Sequence, residues 1–335
     1  MKYKKVMFVA PGKVEIQEDE INPEDLPADH VLIKTHYSLI SAGTELACLS
    51  GTESWFKMPL TSGYASVGEV VAKGNEVTNL DIGDTVFQYG HHEEYSIQPM
   101  RKIVVKVPET IDEKLIPFTR MATIAMTAIR VSDIELGDYV VVTGQGLIGN
   151  MAAQLAKLQG ADVIVIDLSD KRLELSKKCG IEFCINSKQS NVREKIMKIT
   201  DAKGISTLIE ATGIPQVAVK GLPLIAKGGE IILLGSPRGG FQGDITDLFN
   251  YCHLSDRGYI TFKGAHEWRF PIRYDNFVKH SIERNTKIVF NLMEKKQLSV
   301  KPLLSHVVKP YEIAKAYEGL KNNKDDYIGV IIDWN

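Results

Sequence analysis

The sequence predicts an α/β chain with two domains, a compact β-barrel and a doubly wound parallel sheet, on three observations. Strand-like and helical patterns alternate from Val140 to Gly235, as in a parallel sheet covered by helices. Short strands separated by frequent turns fill the stretch from Met1 to about Pro108. Between them Leu115, Phe118, Ala122, Ala125, Met126 and Ile129 recur at three- and four-residue intervals, so a helix over 112–130 is expected to lead into the second domain.

The barrel strands are typified by Val31–Thr35 and by Val67–Ala72, the latter ending at the turn residues Lys73-Gly74-Asn75. Val140–Val142, Val163–Ile166, Thr207–Glu210 and Glu230–Leu234 are the expected strands of the parallel sheet. Gly258–Gly264 reads as a sheet-edge strand, and its Tyr259–Phe262 edge as the surface that pairs two copies in a homodimer. Helical stretches around Leu292–Leu298 and Tyr311–Lys321 precede a closing strand, Ile328–Ile332, expected to return to the first domain. There is no internal repeat, low-complexity segment or Gly/Ser linker.

Composition narrows the function classes. With 335 residues, 44% hydrophobic and 24% charged, the chain is long enough for two cores and has ordinary globular composition. Its 40 basic and 42 acidic residues leave a net charge of −2 without charge runs, which argues against a nucleic-acid surface or a polybasic membrane anchor. No run approaches the roughly 20 apolar residues of a membrane span and no signal-peptide core follows Met1, so a cytoplasmic location is expected. Cys48, Cys179, Cys184 and Cys252 form no C-x-x-C pair and read as reduced thiols.

The motif that carries chemistry is Gly144-Gln145-Gly146-Leu147-Ile148-Gly149, a G-x-G-x-x-G turn fed by the β-branched run Val140–Thr143. Such spacing is weak alone. Here Met151, Ala152, Leu155 and Leu158 follow at helical spacing, Gly160 ends the helix, and a second run, Val163–Ile166, ends in Asp167. Gly144 suits the tight turn, Gly146 the approach of a pyrophosphate, and Gly149 close helix–strand packing. Asp167 is expected to accept from both adenosine ribose hydroxyls and to repel a 2′-phosphate, which favours NAD(H), while the nearby Lys171 and Arg172 soften that preference. Leu147, Ile148, Leu168, Thr212, Gly213, Leu234 and Gly235, at the turn and at later strand ends, complete the expected cofactor contacts.

With these motifs the chain resembles, over nearly its whole length, the medium-chain dehydrogenase/reductase superfamily of zinc-alcohol-dehydrogenase-like proteins. Besides the nucleotide turn, the resemblance rests on Ser38-Leu39-Ile40-Ser41-Ala42-Gly43-Thr44-Glu45, Gly63-Tyr64-Ala65, Ile82-Gly83-Asp84-Thr85-Val86, Glu210-Ala211-Thr212-Gly213 and Lys301-Pro302-Leu303. It implies a GroES-like β-barrel catalytic domain over 1–120 and 266–335, and a Rossmann domain over 121–265.

The departures from that family point to a zinc-free member. Ala42 stands where zinc members carry the cysteine of G-I-C-G-T-D, Tyr64 and Ala65 replace the His and Glu of G-H-E, and Arg120 aligns with an acid or cysteine ligand. A guanidinium cannot bind zinc, and no cysteine between Asp84 and Val107 supplies a structural zinc lobe, so no metal is expected. Ser38–Glu45 and Gly63-Tyr64 resemble a bacterial subgroup that includes a bacteriochlorophyllide hydroxyethyl dehydrogenase and the dehydrogenase half of two-domain oxidoreductases linked to saccharide pathways. That implies an alcohol/ketone couple on a bulky hydroxylated molecule.

Without zinc, something else must handle the hydroxyl proton. Tyr64 is the first candidate, with Arg120 expected to favour phenolate and to stabilise an alkoxide; the alternative is a packing aromatic. His92, in His91-His92-Glu93-Glu94-Tyr95, is the second, against a solvated-loop reading that weighs more for His91. The resemblance makes Thr44 a relay partner and Glu45 a former metal-site acid now expected to pair with Arg120. Trp55 and Phe56 suit either a sugar-facing surface or core packing, and His266-Glu267-Trp268-Arg269 is a secondary candidate.

The expected activity is zinc-independent, NAD(H)-dependent interconversion of a secondary alcohol and a ketone on a polyhydroxylated, sugar-like or cyclitol-like small molecule. A quinone or enoyl reductase, which usually prefers NADPH, is the alternative enzyme reading. A non-catalytic NAD-binding sensor is the alternative outside catalysis.

Overall fold

The chain opens on an antiparallel hairpin, β1 (Lys2–Ala10) and β2 (Lys13–Glu20), turned at Gly12, whose φ of +74° suits a residue without Cβ. β3 (His30–Leu39), α1 (Ala42–Leu49), β4 (Leu60–Thr61), β5 (Ser66–Lys73), β6 (Thr85–Gln88), β7 (Tyr95–Pro99) and β8 (Val104–Lys106) follow. β3 is the spine of this part. It pairs antiparallel with β5 along one edge, while its other edge takes β7 over His30–Lys34. Val31, Ile33, Val70, Val86 and Val104 alternate inward from β3, β5, β6 and β8 to form one core of the barrel.

The stretch expected as one helix over 112–130 divides in two. Glu113–Phe118 is a 3-10 turn that contains Pro117, and α2 (Thr119–Val131) begins only after it. Proline has no N–H to donate and crowds the preceding turn, so the regular helix starts beyond it.

The next stretch alternates strand and helix: β9 (Tyr139–Thr143), α3 (Leu147–Leu158), β10 (Asp162–Asp167), α4 (Asp170–Lys178), β11 (Phe183–Asn186), α5 (Val192–Ile199), β12 (Ile205–Glu210), α6 (Pro215–Gly221), β13 (Ile225–Leu233), α7 (Ile245–His253) and β14 (Thr261–Gly264). The six strands form one parallel sheet in the order β11-β10-β9-β12-β13-β14. Counted within the sheet this is 3-2-1-4-5-6, with the topological switch between β9 and β12 where an open α/β sheet offers a crevice. Val141, Ile164, Leu208 and Ile231 lie side by side across it, fully buried. The outer strand starts at Thr261 rather than at Tyr259, whose φ of +53° is incompatible with strand geometry.

α8 (Ile282–Glu294), β15 (Leu304–Val308), α9 (Ile313–Asn322) and β16 (Gly329–Asp333) complete the chain. α8 ends where the expected helix around Leu292–Leu298 was centred. Ser281 caps its start by accepting from Arg284 N, and Lys296 at φ +55° lies just past its end. β16 pairs antiparallel with β3, so the closing strand does return to the barrel.

The computed structural model describes all 335 residues, and they group into two units: 1–120 with 270–296 and 303–335, and 121–269 with 297–302. Residues 297–302 thus group with the parallel sheet. The architecture is a GroES-like domain and a parallel-sheet Rossmann domain. No helix is long and apolar enough to cross a membrane, and all four cysteines are free thiols.

Candidate active site

In the Rossmann unit the expected cofactor residues converge at the carboxyl ends of β9, β10, β12 and β13. Gly144 adopts φ +83°, and a Cβ there would come within 2.8 Å of Thr212 Cγ2. A Cβ on Gly149 would run into the Gly144 carbonyl oxygen, so α3 sits against the turn at a distance only glycine permits. Gly146 differs: its missing Cβ faces open space, and as N-cap of α3 it offers no side-chain acceptor to the first N–H groups of the helix. Leu147 and Ile148 open that helix. This is a cradle of the shape and polarity a dinucleotide pyrophosphate requires.

Asp167 ends β10 and braces the turn as well. Its Oδ2 accepts from Gln145 N at 2.6 Å and its Oδ1 from Ser169 N at 2.9 Å, while Arg172 Nη1 lies 4.0 Å from Oδ2. Leu168 beside it is exposed. The Arg172 guanidinium offsets part of the carboxylate's negative charge at the end of β10.

Glu210 was read only as part of a motif, and the structure makes it the organiser of the neighbouring loop. Buried at the end of β12, its Oε1 accepts from Thr212 N at 2.7 Å and from the Thr212 hydroxyl, and its Oε2 accepts from Gly213 N at 3.0 Å. Its carbonyl accepts from Leu234 N and Gly235 N. A Cβ on Gly235 would strike Gly213 N, and Gly213 holds φ +69°, so the loops after β12 and β13 nest through two glycines. The signal in the sequence was Glu-Ala-Thr-Gly itself, a carboxylate two residues before a turn that needs donors fixed.

In the barrel unit Ser41 precedes α1, which carries Ala42, Thr44 and Glu45. The half-buried Tyr64 donates its hydroxyl hydrogen bond to Ser41 Oγ. The Arg120 guanidinium is buried, with its carbon 5.2 Å from the Tyr64 ring centre and 4.0 Å from that of Tyr89. Burial, and then the negative charge of Glu45, raise the Tyr64 phenol above its usual value; the hydrogen bonds to Ser41 and Thr44 and the Arg120 charge oppose this without reversing it. The expectation that Arg120 would make Tyr64 a phenolate is therefore corrected. Burial and Glu45 thus favour the neutral phenol of Tyr64.

Glu45 is engaged by residues other than its expected partner Arg120. Its Oε1 accepts from Ser41 N at 2.7 Å, and its Oε2 accepts from the Tyr317 hydroxyl at 2.5 Å and lies 3.0 Å from His92 Nε2. Trp334 Nε1 donates to Ser38 Oγ at 2.9 Å, and Ser38 Oγ is 2.8 Å from His92 Nδ1. One assignment satisfies every donor: Ser38 donates to Nδ1, and Nε2–H donates to Glu45. His92 is fully buried with both ring nitrogens taken, so it fixes Glu45 and has no face for a substrate. His91 is the exposed neighbour. Its Nδ1–H donates to Gly63 O at 2.8 Å, which leaves Nε2 as an acceptor.

Of the remaining candidates, Trp55 is exposed with its indole N–H on Glu53, whereas Phe56 packs on Phe8 in the core. In the Rossmann unit Glu267 is buried and Trp268 exposed.

A zinc ion does not fit the side chains at the positions that the resemblance assigns to its ligands. Ala42 presents a methyl group, Tyr64 a phenol turned to Ser41, and Arg120 a cation with no lone pair to give. No three His, Cys, Asp or Glu side chains converge as a metal-ligand group.

Comparison with known proteins places the chain. The model of the alcohol dehydrogenase GroES-like domain matches residues 27–109, and that of the zinc-binding dehydrogenases matches 148–272. The chain belongs to the medium-chain dehydrogenase/reductase superfamily. Among members of this superfamily, sorbitol dehydrogenase of Halalkalibacterium halodurans is 26% identical over 346 aligned positions, which cover 93% of this chain and 94% of that protein. D-guloside 3-dehydrogenase of Escherichia coli is 32% identical over 180 positions, 50% of this chain and 49% of that one. The crystal structure of galactitol-1-phosphate dehydrogenase from Escherichia coli superposes with a TM-score of 0.83 at 20% identity, covering 98% of this chain and 99% of the other.

Proposed function

We propose that this chain is a zinc-independent, NAD(H)-dependent oxidoreductase that interconverts a secondary alcohol and a ketone on a polyhydroxylated small molecule. The observation that carries the reading is the Tyr64 hydroxyl hydrogen-bonded to Ser41 Oγ, with the buried Arg120 guanidinium 5.2 Å from its ring centre. A bound NADH supplies the hydride. The chain's own residues then have a proton to manage: in ketone reduction Tyr64 Oη donates to the carbonyl oxygen as the carbon is reduced, and Arg120 stabilises the negative charge that develops. The tyrosinate left behind regains its proton from solvent, with the Ser41 and Thr44 hydroxyls beside it as relays. The reverse direction runs the same transfers backwards and needs the phenolate.

Glu45 and His92 position this set, since the carboxylate holds Ser41 N and His92 holds the carboxylate. On the cofactor side, Gly144, Gly146, Gly149, Asp167, Thr212, Gly213 and Gly235 would hold the dinucleotide, with NAD(H) preferred because the Asp167 carboxylate at the end of β10 would repel a 2′-phosphate. The polyhydroxylated substrate is supported by relatives whose names refer to sorbitol and a guloside. The test is a panel of ketoses, keto-cyclitols and sugar alcohols assayed with NADH and NAD. A wild-type protein that turns over a member of the panel and a Tyr64→Phe protein that does not support the reading; full turnover by Tyr64→Phe overturns it.

A further inference from the structure

A chain of buried polar side chains in the Rossmann unit has no part in the chemistry above. It starts inside the glycine turn. The Gln145 side chain, 2% exposed, donates from Nε2 to Val142 O at 3.3 Å and Gly144 O at 3.2 Å, and its Oε1 accepts from Ser176 Oγ at 2.9 Å. Asn150 Nδ2 donates to the same Ser176 Oγ at 3.2 Å, and Gln154 Nε2 donates to Asn150 Oδ1 at 2.8 Å. Gln154 then grips Ser299 as one strand grips another: Ser299 N donates to its Oε1 at 2.7 Å, and its Nε2 donates to Ser299 O at 3.0 Å. Cys179 Sγ also points at Ser299 O. Asn150 and Ser176 are fully buried and Gln154 nearly so.

An apolar helix face would pack these positions at lower risk, because a buried amide costs free energy whenever a partner is lost. Here every link is made, in one continuous path from the turn to Ser299. Segment 297–302 is the short piece of chain that lies between 270–296 and 303–335, both of the other unit, yet groups with the parallel sheet. Leu298 and Val300 flank Ser299 and are buried.

We propose that Gln145, Ser176, Asn150 and Gln154 are positioning residues that couple dinucleotide binding at the glycine turn to the ordering of segment 297–302. A pyrophosphate on the turn fixes the Gly144 and Gln145 backbone. That fixes the Gln145 amide, and each following amide or hydroxyl has its donor direction set by the one before it. By reciprocity, whatever holds Ser299 against Gln154 favours the turn geometry that binds the dinucleotide.

The inference rests on the glycine turn being the NADH site, and hydrogen exchange with fluorescence titration separates the two claims. In the wild-type protein, NADH is expected to slow exchange of the Ser299 amide severalfold. Gln154→Leu keeps the volume and removes both grips; it is expected to lose that response and to raise the NADH Kd by about tenfold, the effect of one buried hydrogen bond. Gln154→Glu still accepts from Ser299 N but cannot donate to Asn150, so its Ser299 amide should be protected equally with and without NADH. NADH bound tightly with no change at 297–302 in the wild type overturns the coupling and leaves the cofactor site intact, and the same holds for a folded Gln154→Leu protein with wild-type Kd. No NADH binding by the wild-type protein overturns both. The wild-type comparison does not depend on any variant folding.

Discussion

His92 Nε2 lies 3.0 Å from Glu45 Oε2, and neither side chain reaches solvent. A histidine so enclosed is a prop for its carboxylate. His92→Ala should therefore cost about 2–3 kcal/mol of stability, because it takes one donor from the buried Glu45 carboxylate and the acceptor from the Ser38 hydroxyl. Urea unfolding checks this, and the pH profile of the folded variant should keep its wild-type shape. Unchanged stability with a lost limb in that profile would instead make His92 the proton donor.

Tyr64→Phe removes only the hydroxyl that donates to Ser41. Turnover should fall by at least about 100-fold, the usual worth of a general acid, while the NADH Kd stays as in the wild type. Ser41→Ala keeps the phenol and loses its acceptor, so a smaller fall is expected, with Ser41→Thr restoring most of it. Steady-state kinetics beside a fluorescence titration separate these outcomes.

The raised Tyr64 phenol sets the sign of the pH dependence. Its protonated form persists below its folded-state pKa, which lies above the ordinary tyrosine value of about 10. Ketone reduction should hold a plateau through neutral pH and fall only above that range, whereas alcohol oxidation, which needs the phenolate, should climb throughout. The same sign applies to stability. Both Tyr64 and Tyr317 have raised values, so their contribution is complete below about pH 10 and is lost as pH rises through the folded-state values. Single-turnover rates in both directions and alkaline unfolding curves check these signs.

The parallel sheet was legible because its information is local. Each strand is a short β-branched run, each helix has its own period, and Gly144, Gly149 and Asp167 lie within one βαβ unit. The role of His92 was not legible, since Ser38, Glu45 and Trp334 reach it only through barrel topology, and nothing in His91-His92 tells which ring points inward. The start of α8 was missed because two of its five buried residues, Asn285 and Thr286, are polar and thin the hydrophobic pattern in its first half. The charge of Arg120 was legible too, but its failure to lower Tyr64 was not, because burial and Glu45 act through three-dimensional placement.

The proposed proton chemistry needs no metal, and that sets an expected metal content. Protein prepared without chelators should carry far less than one zinc per chain by elemental analysis, and prolonged dialysis against a strong chelator should leave activity unchanged. Stoichiometric zinc required for turnover would overturn the proposed proton chemistry.

Gly149→Ala places a methyl group against the Gly144 carbonyl oxygen. The turn or α3 must shift, so NADH binding should weaken by more than about tenfold, with a loss of stability of about 1–3 kcal/mol. Gly146→Ala meets open space and should leave the unliganded protein as stable as the wild type while still impairing NADH binding. Thermal melts with and without NADH distinguish the two.

Tyr317 and Trp334 close the polar interior of the barrel from far along the chain: Tyr317 lies 272 residues beyond Glu45, and Trp334 lies 296 beyond Ser38. A barrel closed by contacts of such long sequence separation completes its hydrogen bonding only after about 300 further residues have been made. The parallel sheet, drawn almost wholly from the unbroken stretch 121–269, is able to form while the barrel strands still wait. Until Tyr317 and Trp334 have been made, the Glu45 carboxylate and the Ser38 hydroxyl lack these two donors.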